Sequence, residues 1–360
     1  MIAARSSWRI ILAALLAAFA LAVPSLARAE PLTIRIGFAS IGVDNRPFAG
    51  GDTLAVAHAE GYVQRALQAD PDVKVEWYFF KGAGPAVNEA IANGQLDFAL
   101  QGDLPSIIGR ASGLKTKILA ATGAHAPTYL AVAEGSSIKG VKDLRGRKVS
   151  IFRGTNNHLA VVKILAANGL TERDLQVLNM DTATTNAALA SRDIEAAFGN
   201  FPLISLAEQK KAAIVYSTKG DDRGLERQCA LLVTEAFERA HPDLVAKVVK
   251  ALVEAARWSS DETNRDALIA VWAKSGTPAS VFRYDLADQD LRYRNAPIVD
   301  PFFVEQYRVQ AKQAKAFGLI RRDVDVTGWF EPRYVDQAVR ELGLERYWER
   351  FGPDGKPLGS

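Results

Sequence analysis

Polar residues that directly follow two predicted strands are the first candidates for ligand chemistry. In the stretch Lys81–Pro105, a small apolar helix and an Asn-Gly turn lead to the strand LDFAL, which ends at Gly102 and Asp103. A second stretch repeats this order and ends at Asn200 and Phe201. In open α/β sheets, ligands bind in the crevice outside the carboxyl ends of the strands. The repeat therefore predicts two lobes that share a cleft, although such helix-turn-strand units also recur by chance.

A third loop places polar residues at the predicted start of a helix. The strand KVSIF runs into Gly154, Thr155, Asn156 and His158, and an apolar-periodic helix follows. A helix start offers unpaired N–H groups and the positive end of the helix dipole, which suit a sulfonate, a carboxylate or nitrate. Thr155 or Asn156 is predicted to cap this helix, and capping alone is the alternative to ligand contact. His158 either donates to a ligand oxygen or packs as a half-buried side chain.

Two loops of the N-terminal half are expected at the same cleft. The Gly-rich loop after the first predicted strand carries Ser40, Asn45 and Arg46, and its alternative interpretation is a solvated surface loop. Gly84 and Pro85 begin a helix whose first N–H groups would face the crevice. The glycines before that helix lack the third glycine of a dinucleotide fingerprint, so nucleotide binding is not expected.

Residues 1–29 have the organisation of a secretory signal peptide. Arg5 and Arg9 precede the apolar run Ile10–Val23, and the tripeptide ARA that ends at Ala29 fits the cleavage pattern. We predict cleavage after Ala29 and a soluble periplasmic protein, because no cysteine near that site could carry a lipid. The three arginines of the signal leave 41 of the 44 basic side chains, equal to the 41 acidic ones. This balance argues against a nucleic-acid or anionic-membrane surface.

Residue counts argue against a metal centre, a cofactor and covalent catalysis. Cys229 is the only cysteine, and the four histidines form no pair at the spacing of a helical metal site. The chain also lacks a Gly-x-Ser-x-Gly nucleophile motif. We therefore expect no metal, no cofactor and no enzymatic activity.

Three segments of the chain carry ordered motifs. Leu130–Leu170 contains a strand, the turn DLRGRKV, the loop RGTNN and a helix that ends in Gly-Leu. Together with the helix start and strand end of Gly82–Pro105 and the C-terminal segment Asp290–Tyr334, it resembles periplasmic solute-binding proteins for nitrate, taurine and aliphatic sulfonates, which serve ABC importers. The similarity covers nearly all of residues 32–340, and the order and spacing of the motifs make it specific.

This resemblance implies a type II periplasmic binding protein fold, in which two α/β lobes joined by two crossover strands close on a ligand by hinge motion. The crossings are expected near residues 127–130 and 227–233. The implied partners are a small-molecule ligand and the membrane permease of an ABC importer, and we expect a monomer. The domains are the signal peptide at 1–29, lobe I at 30–127, lobe II at 128–229, and the rest of lobe I with C-terminal helices at 230–360.

Two departures from these relatives fall at the predicted cleft. The second-lobe loop contains Asn200, Phe201 and Pro202 where many relatives carry Trp-Asp-Pro, and the first loop is longer and includes Arg46. Loss of the carboxylate favours an anionic or neutral head group over a zwitterion such as taurine. We predict the binding component of an ABC importer for a small organic anion, most simply an aliphatic sulfonate or related sulfur compound. The alternative is a periplasmic sensor module for a neutral, aromatic or nitrate-like ligand.

Overall fold

The computed structural model describes residues 31–123, 125–220 and 223–359. The predicted signal peptide lies outside these residues. Within the described part of the chain, no helix is both long enough and apolar enough to cross a membrane.

The strands of the described chain form two five-stranded sheets. In chain order the strands are β1 Leu32–Phe38, β2 Val73–Phe79, β3 Phe98–Gly102, β4 Thr116–Ala121, β5 Tyr129–Ala133, β6 Lys148–Ser150, β7 Gln176–Leu178, β8 Ala196–Gly199, β9 Ala212–Ser217 and β10 Cys229–Thr234. The first sheet has the strand order β2-β1-β3-β10-β4 and the second has the order β7-β6-β8-β5-β9, so the two sheets have equivalent arrangements.

In each sheet, one antiparallel strand enters between two others. In the first sheet β1 and β3 are parallel, and β10 runs antiparallel to β3 and β4. In the second sheet β6 is parallel to β7 and β8, and β5 runs antiparallel to β8 and β9. The two predicted repeat strands therefore occupy equivalent places, as β3 and β8. This pair of mixed α/β sheets confirms the predicted two-lobe α/β class.

Helices connect and cover the strands of both sheets. In chain order they are α1 Thr53–Ala59, α2 Tyr62–Ala66, α3 Ala83–Ala92, α4 Asp103–Ala111, α5 Asn156–Ala167, α6 Thr182–Ser191, α7 Pro202–Glu208, α8 Glu235–Ala240, α9 Pro242–Ser259, α10 Arg265–Ala273, α11 Ala279–Leu286, α12 Leu291–Arg294, α13 Pro301–Ala316 and α14 Arg333–Glu341.

The longest helix of the described chain, α9, carries much of the core of the first lobe. Its apolar stripe includes Val245, Val249 and Leu252, which are fully buried, and it packs against α1, α2 and α14. Gly61 adopts a left-handed φ of 67° and separates α1 from α2.

The chain crosses between the sheets twice, and we call the described residues of these two connections, 122–123 with 125–128 and 218–220 with 223–228, the crossing segments. They run side by side: Ala126 and Arg227 form an antiparallel bridge, and the Thr218 backbone N–H donates to the Thr128 carbonyl at 3.0 Å. The crossings predicted at 127–130 and 227–233 are displaced, because Tyr129 and Cys229 already begin β5 and β10. The domain limits at 127/128 and 229/230 remain our proposal.

A cluster of aromatic rings surrounds His58 at the outer edge of the first sheet. The rings of Phe38, Phe48, Trp77 and Phe79 lie 4.9–6.0 Å from the imidazole, measured between ring centroids. Burial, together with the charge of Lys274, lowers the pKa of His58 to about 4. The native state therefore favours the neutral imidazole.

We expect His58 to make the folded state sensitive to acid between pH 6.5 and 4. Because its pKa is lower in the folded than in the unfolded chain, the stabilisation is complete above pH 6.5 and is lost as the pH falls through 4. A fully buried ring would lose roughly 3 kcal/mol, and its partial exposure reduces the expectation to about 1–2 kcal/mol. Urea unfolding across this range measures the effect.

The control is the same series with His58→Leu, in which this part of the pH dependence should disappear. The difference between the two proteins matters, because burial raises the pKa of Asp52 to about 7 and gives that group the opposite dependence. Parallel pH profiles for wild type and variant would contradict the assignment.

Candidate ligand-binding cleft

The strand-end loop of the first lobe touches the helix start of the second lobe. A methyl group added at Gly102, the last residue of β3, would lie 2.5 Å from Cβ of Asn156, the first residue of α5. One at Gly154 would lie 3.1 Å from Cγ of Pro85. The cleft predicted from the strand ends therefore brings together Gly102, Pro85, Gly154 and Asn156, and the two lobes are closed on each other.

The loop after β8 meets the first lobe at a separate place. The Phe201 ring lies 4.9 Å from the Phe282 ring, and a methyl at Gly51 would come within 3.0 Å of Phe201. Asn200 is half-buried and its carbonyl accepts from the Leu203 N–H at 3.0 Å. Phe201 thus forms an apolar wall between the lobes, and Asn200 supplies a partly accessible amide beside it.

The Asn156 side chain reaches from the second lobe to the first. Its amide nitrogen lies 3.5 Å from Sγ of Cys229, the first residue of β10. The first N–H groups of α5 have no acceptor in their own helix, and they share this end with the positive pole of its dipole. Leu159 and Val162 of the same helix belong to the core of the first lobe, which holds α5 in this position.

The predicted side-chain cap of α5 is wrong. Thr155 is the N-cap residue, but its hydroxyl makes no cap hydrogen bond and instead donates to the Phe152 carbonyl at 2.7 Å. Gly154, with a left-handed φ of 76°, turns the loop so that this carbonyl comes within reach. Thr155 consequently stabilises the loop. Its carbonyl accepts from the His158 N–H at 3.0 Å, which leaves the N–H groups of Asn156 and Asn157 at the helix start for another acceptor.

His158 lies inside the second lobe. It is buried, its Nδ1 accepts from the Gly154 N–H at 3.2 Å, and its Nε2 lies 3.2 Å from a Glu172 carboxylate oxygen. The hydrogen bond from His158 lowers the pKa of Glu172. Because both ring nitrogens are engaged, we withdraw His158 from the ligand contacts and assign it to positioning the loop.

Asp103 joins the first lobe to the second crossing segment. Its carboxylate is buried and accepts from the backbone N–H groups of Leu104 at 2.6 Å and Gln228 at 3.1 Å. The Asp103 N–H in turn donates to the Gln228 carbonyl at 3.0 Å. Burial raises the pKa of this carboxyl group. Its oxygens are therefore directed to the crossing segment and not into the cleft, contrary to its predicted ligand role.

The long first loop has a half-buried start and an exposed turn. Ser40 is half-buried just after β1, where Ala39 still donates to the Leu100 carbonyl at 3.1 Å. Asn45 and Arg46 are exposed, in a turn held by the Val43 N–H to the Ser275 carbonyl at 2.8 Å. Asn45 and Arg46 thus belong to the surface, as the alternative interpretation of this loop expected.

Gly84 has a packing role inside the first lobe. A methyl there would lie 2.3 Å from Cβ of Pro105, so α3 and α4 approach closely only because residue 84 lacks a side chain. The Gln101 amide also donates to the Gly84 carbonyl at 3.1 Å. Its neighbour Pro85 is the residue of this pair that faces the second lobe.

A buried polar network at the side of the cleft was missed from the sequence. The Tyr129 hydroxyl at the start of β5 donates to Asp285 of α11 at 2.8 Å, and Nη2 of Arg294 lies 3.9 Å from the same carboxylate. Arg294 also donates to the Gly51 carbonyl at 3.2 Å. This network ties the second lobe to the C-terminal helices, and the residues lie too far apart in the chain for their spacing to signal a contact.

The family pattern described as NMT1/THI5 like matches residues 54–263, more than half of the chain. The chain belongs to the NMT1/THI5-like family. Among solved structures, it is similar to one named as the periplasmic sulfonate-binding protein SsuA of a sulfonate ABC transporter, from Methylobacillus flagellatus KT. The two are 30% identical with a TM-score of 0.74, and the match covers 90% of this chain and 98% of that one. The periplasmic binding protein resemblance and its fold are confirmed.

Curated relatives of this NMT1/THI5-like chain carry similar names. A protein of Bacillus subtilis (strain 168) named as an aliphatic sulfonates-binding protein is 28% identical over 216 residues, 59% of this chain and 64% of the relative. One of the same name from Escherichia coli (strain K12) is 31% identical over 196 residues, 53% of this chain and 56% of the relative. The chain thus spans less than two thirds of the length of either relative.

Enzymes occur among the structures that share this fold. The desulfurization enzyme DSZB is 15% identical with a TM-score of 0.63, a likeness that concerns the fold alone. In this NMT1/THI5-like chain, Cys229 is half-buried beside Asn156, and burial raises the pKa of its thiol to about 12. The thiol is therefore protonated at neutral pH, which is unfavourable for a nucleophile.

Proposed function

We propose that this protein is the soluble substrate-binding component of an ABC importer, and that it captures a small organic anion, most simply an aliphatic sulfonate. The observation that carries the proposal is the α5 start, which presents N–H groups and the Asn156 amide to the strand-end loop of the opposite lobe. Relatives named as sulfonate-binding proteins support the ligand class.

The geometry suits an anion with an apolar tail. Oxygens of a sulfonate would accept from the first N–H groups of α5 and from the Asn156 amide, without a carboxylate opposite them. The half-buried Phe201 ring, which packs on the fully buried Phe282, would offer an apolar surface between the lobes for an alkyl chain. A ligand held by both lobes stabilises the closed arrangement, which is the form a permease would recognise.

We extend the proposal to the cellular location of the protein and to its partners. The protein would act in the periplasm after cleavage behind Ala29, as a monomer, and deliver its ligand to a membrane permease. We infer that it is not an enzyme, because the cysteine of the cleft is protonated and Asp103 and His158 are occupied by structural hydrogen bonds.

A thermal-shift screen of residues 30–360 tests the proposed ligand class. The compounds are ethanesulfonate, hexanesulfonate, taurine, nitrate, acetate and benzyl alcohol. A ligand at 100 times its dissociation constant stabilises by about 2.7 kcal/mol. We expect shifts with the alkanesulfonates and smaller ones with taurine. A shift only with the neutral compound would overturn the anion site and keep the binding-protein fold.

The Asn156→Ala variant should bind an alkanesulfonate about 1–2 kcal/mol more weakly, because it loses one side-chain hydrogen bond to the anion. Titration calorimetry measures the change. The matched control is Asn168→Ala at the far end of the same helix, where the amide donates to the Ile164 carbonyl at 2.9 Å. Equal affinities for wild type and Asn156→Ala would remove this side chain from the site.

A further inference from the structure

A cavity of about 780 Å³ lies on the first lobe, apart from the cleft. We call it the back cavity. Its walls come from both crossing segments, from residues 290–303 and from the C-terminal segment 345–359, and no residue of the second sheet lines it. The lining residues that matter for its chemistry are His125, Gln228, Tyr293, Ala296, Asp300 and Phe351.

The back cavity and the cleft lie on opposite faces of the second crossing segment. Cys229 contacts Asn156 of the cleft, and Arg227 turns its guanidinium to the Pro127 carbonyl at 2.6 Å. Successive side chains of an extended chain point to opposite faces, so Gln228 between them points away from the cleft. Gln228 lines the back cavity, in agreement with this alternation.

Gln228 brings an unpaired acceptor to this cavity. The residue is 1% exposed, and its Oε1 has no hydrogen-bond partner among the described residues. Its backbone is fixed by the two hydrogen bonds to Asp103. A buried carbonyl oxygen without a partner is costly, and a molecule in the cavity with an N–H group would satisfy it.

The surrounding walls offer further acceptors and flat apolar faces. The His125 ring stacks on the Tyr293 ring at 3.7 Å and 16°. The buried Asp300 carboxylate accepts from the N–H groups of Phe303 at 2.8 Å and Phe351 at 2.9 Å, and each oxygen retains a lone pair. A second anion is disfavoured beside Asp300, whereas an amide or amine is favoured.

The arginines that line the back cavity are largely engaged elsewhere. Arg350 donates to Asp336 at 2.6 Å, and the Arg292 guanidinium lies 4.8 Å from the Tyr347 ring centroid. Arg346 is exposed. The polar groups that the buried wall offers to a ligand are therefore the acceptor oxygens of Gln228 and Asp300.

We propose that the back cavity is a second small-molecule site, which takes a neutral or cationic molecule with an N–H donor and a flat apolar body. The donor binds Gln228 Oε1, and the apolar body lies among Ala296, Phe302 and Phe351. A molecule there contacts both crossing segments, the parts of the chain that connect the lobes. This site is independent of the sulfonate proposal.

Saturation-transfer NMR with benzamide as the probe tests this site. Benzoate is the matched control, since it has the same shape but carries a charge and no N–H. We expect saturation of benzamide and not of benzoate by the mature protein, unchanged by excess ethanesulfonate. Absence of benzamide saturation, equal signals for the two compounds, or displacement by ethanesulfonate would overturn the proposal.

Two variants locate the bound probe. Gln228→Met keeps the length of the side chain without the amide, and should weaken benzamide binding about fivefold or more. Ala296→Phe occupies the part of the cavity assigned to the apolar body and should strongly weaken binding. Gly140→Ala, at a glycine with no neighbour within 4 Å, should leave it unchanged. Thermal unfolding verifies that each variant is folded. Wild-type benzamide affinity in folded Gln228→Met or Ala296→Phe would overturn the site, whatever the result with sulfonates.

Discussion

Replacing Gly102 by alanine should weaken ligand binding by about 2–3 kcal/mol, in the upper part of the range for overpacking. The added methyl would lie 2.5 Å from Cβ and 2.8 Å from Cγ of Asn156, across the cleft. The backbone of Gly102 has an ordinary φ of −75°, so alanine brings no strain within its own lobe. The clash exists only when the lobes are closed, and titration calorimetry with an alkanesulfonate measures its cost.

Two comparisons show whether Gly102→Ala blocks closure of the lobes or instead disturbs folding. Gly140→Ala adds the same methyl in the second lobe at an extended φ of −175°, where no atom lies within 4 Å, and should bind normally. In the Asn156→Gly background, the cost of Gly102→Ala should fall below about 0.5 kcal/mol, because the clashing side chain is gone. An equal cost in both backgrounds would refute the contact.

The Asp285→Ala variant should lower the free energy of unfolding by about 3–5 kcal/mol, the range for breaking a buried ion pair. Asp285 and Arg294 are 2% and 3% exposed, so removal of the carboxylate takes an opposite charge away from a buried guanidinium. The variant also removes the acceptor of the Tyr129 hydroxyl. Urea unfolding followed by circular dichroism measures the loss.

The matched control for this variant is Asp266→Ala in α10. The Asp266 side chain is 91% exposed and lies 3.9 Å from Arg283, so its removal should change stability by less than about 0.5 kcal/mol. Similar losses in the two variants would mean that the Tyr129–Asp285–Arg294 network does not hold the lobe to the C-terminal helices.

The elements of the cleft were predictable because their signals are local. Gly102 and Phe201 follow short apolar strands, and the apolar period after Asn156 marks a helix. These patterns placed three loops at strand ends, and the equivalent positions of β3 and β8 in the two sheets bring such ends together. The packing role of Gly84 and the role of Gly102 in lobe closure depend on neighbours from other elements. A local sequence pattern does not reveal such neighbours.

The hydrogen-bond partners of the side chains were predicted less well than the positions of the loops that carry them. Thr155 has the residue type and place of a helix cap, but the turn at Gly154 gave its hydroxyl a nearer acceptor in Phe152. His158 and Asp103 were assigned to the ligand by proximity, whereas burial forced each of them to find protein partners. Competition between possible partners is decided by tertiary structure, and the sequence does not rank them.

The crossings were misplaced for a related reason. Residues of the second crossing run without interruption into the apolar strand CALLVT, so composition does not mark where one lobe ends. The boundary is set by pairing: β10 begins where Cys229 pairs with Gly102, and the preceding Arg227 pairs with Ala126 of the other crossing segment.

The most direct test of ligand capture by lobe closure is the alkylation rate of Cys229 with and without ligand. It is the only cysteine of the chain and contacts Asn156 of the other lobe, and in the closed form burial raises the pKa of its thiol to about 12. Opening would expose it and increase its thiolate fraction. Labelling in urea gives the rate of the unprotected thiol.

We expect a saturating alkanesulfonate to slow the reaction of Cys229 with iodoacetamide by about tenfold or more, because it shifts the population to the closed form. An alkylamine of the same chain length should leave the rate unchanged. A rate that does not respond to an alkanesulfonate shown to bind would contradict capture in this cleft by closure of the two lobes.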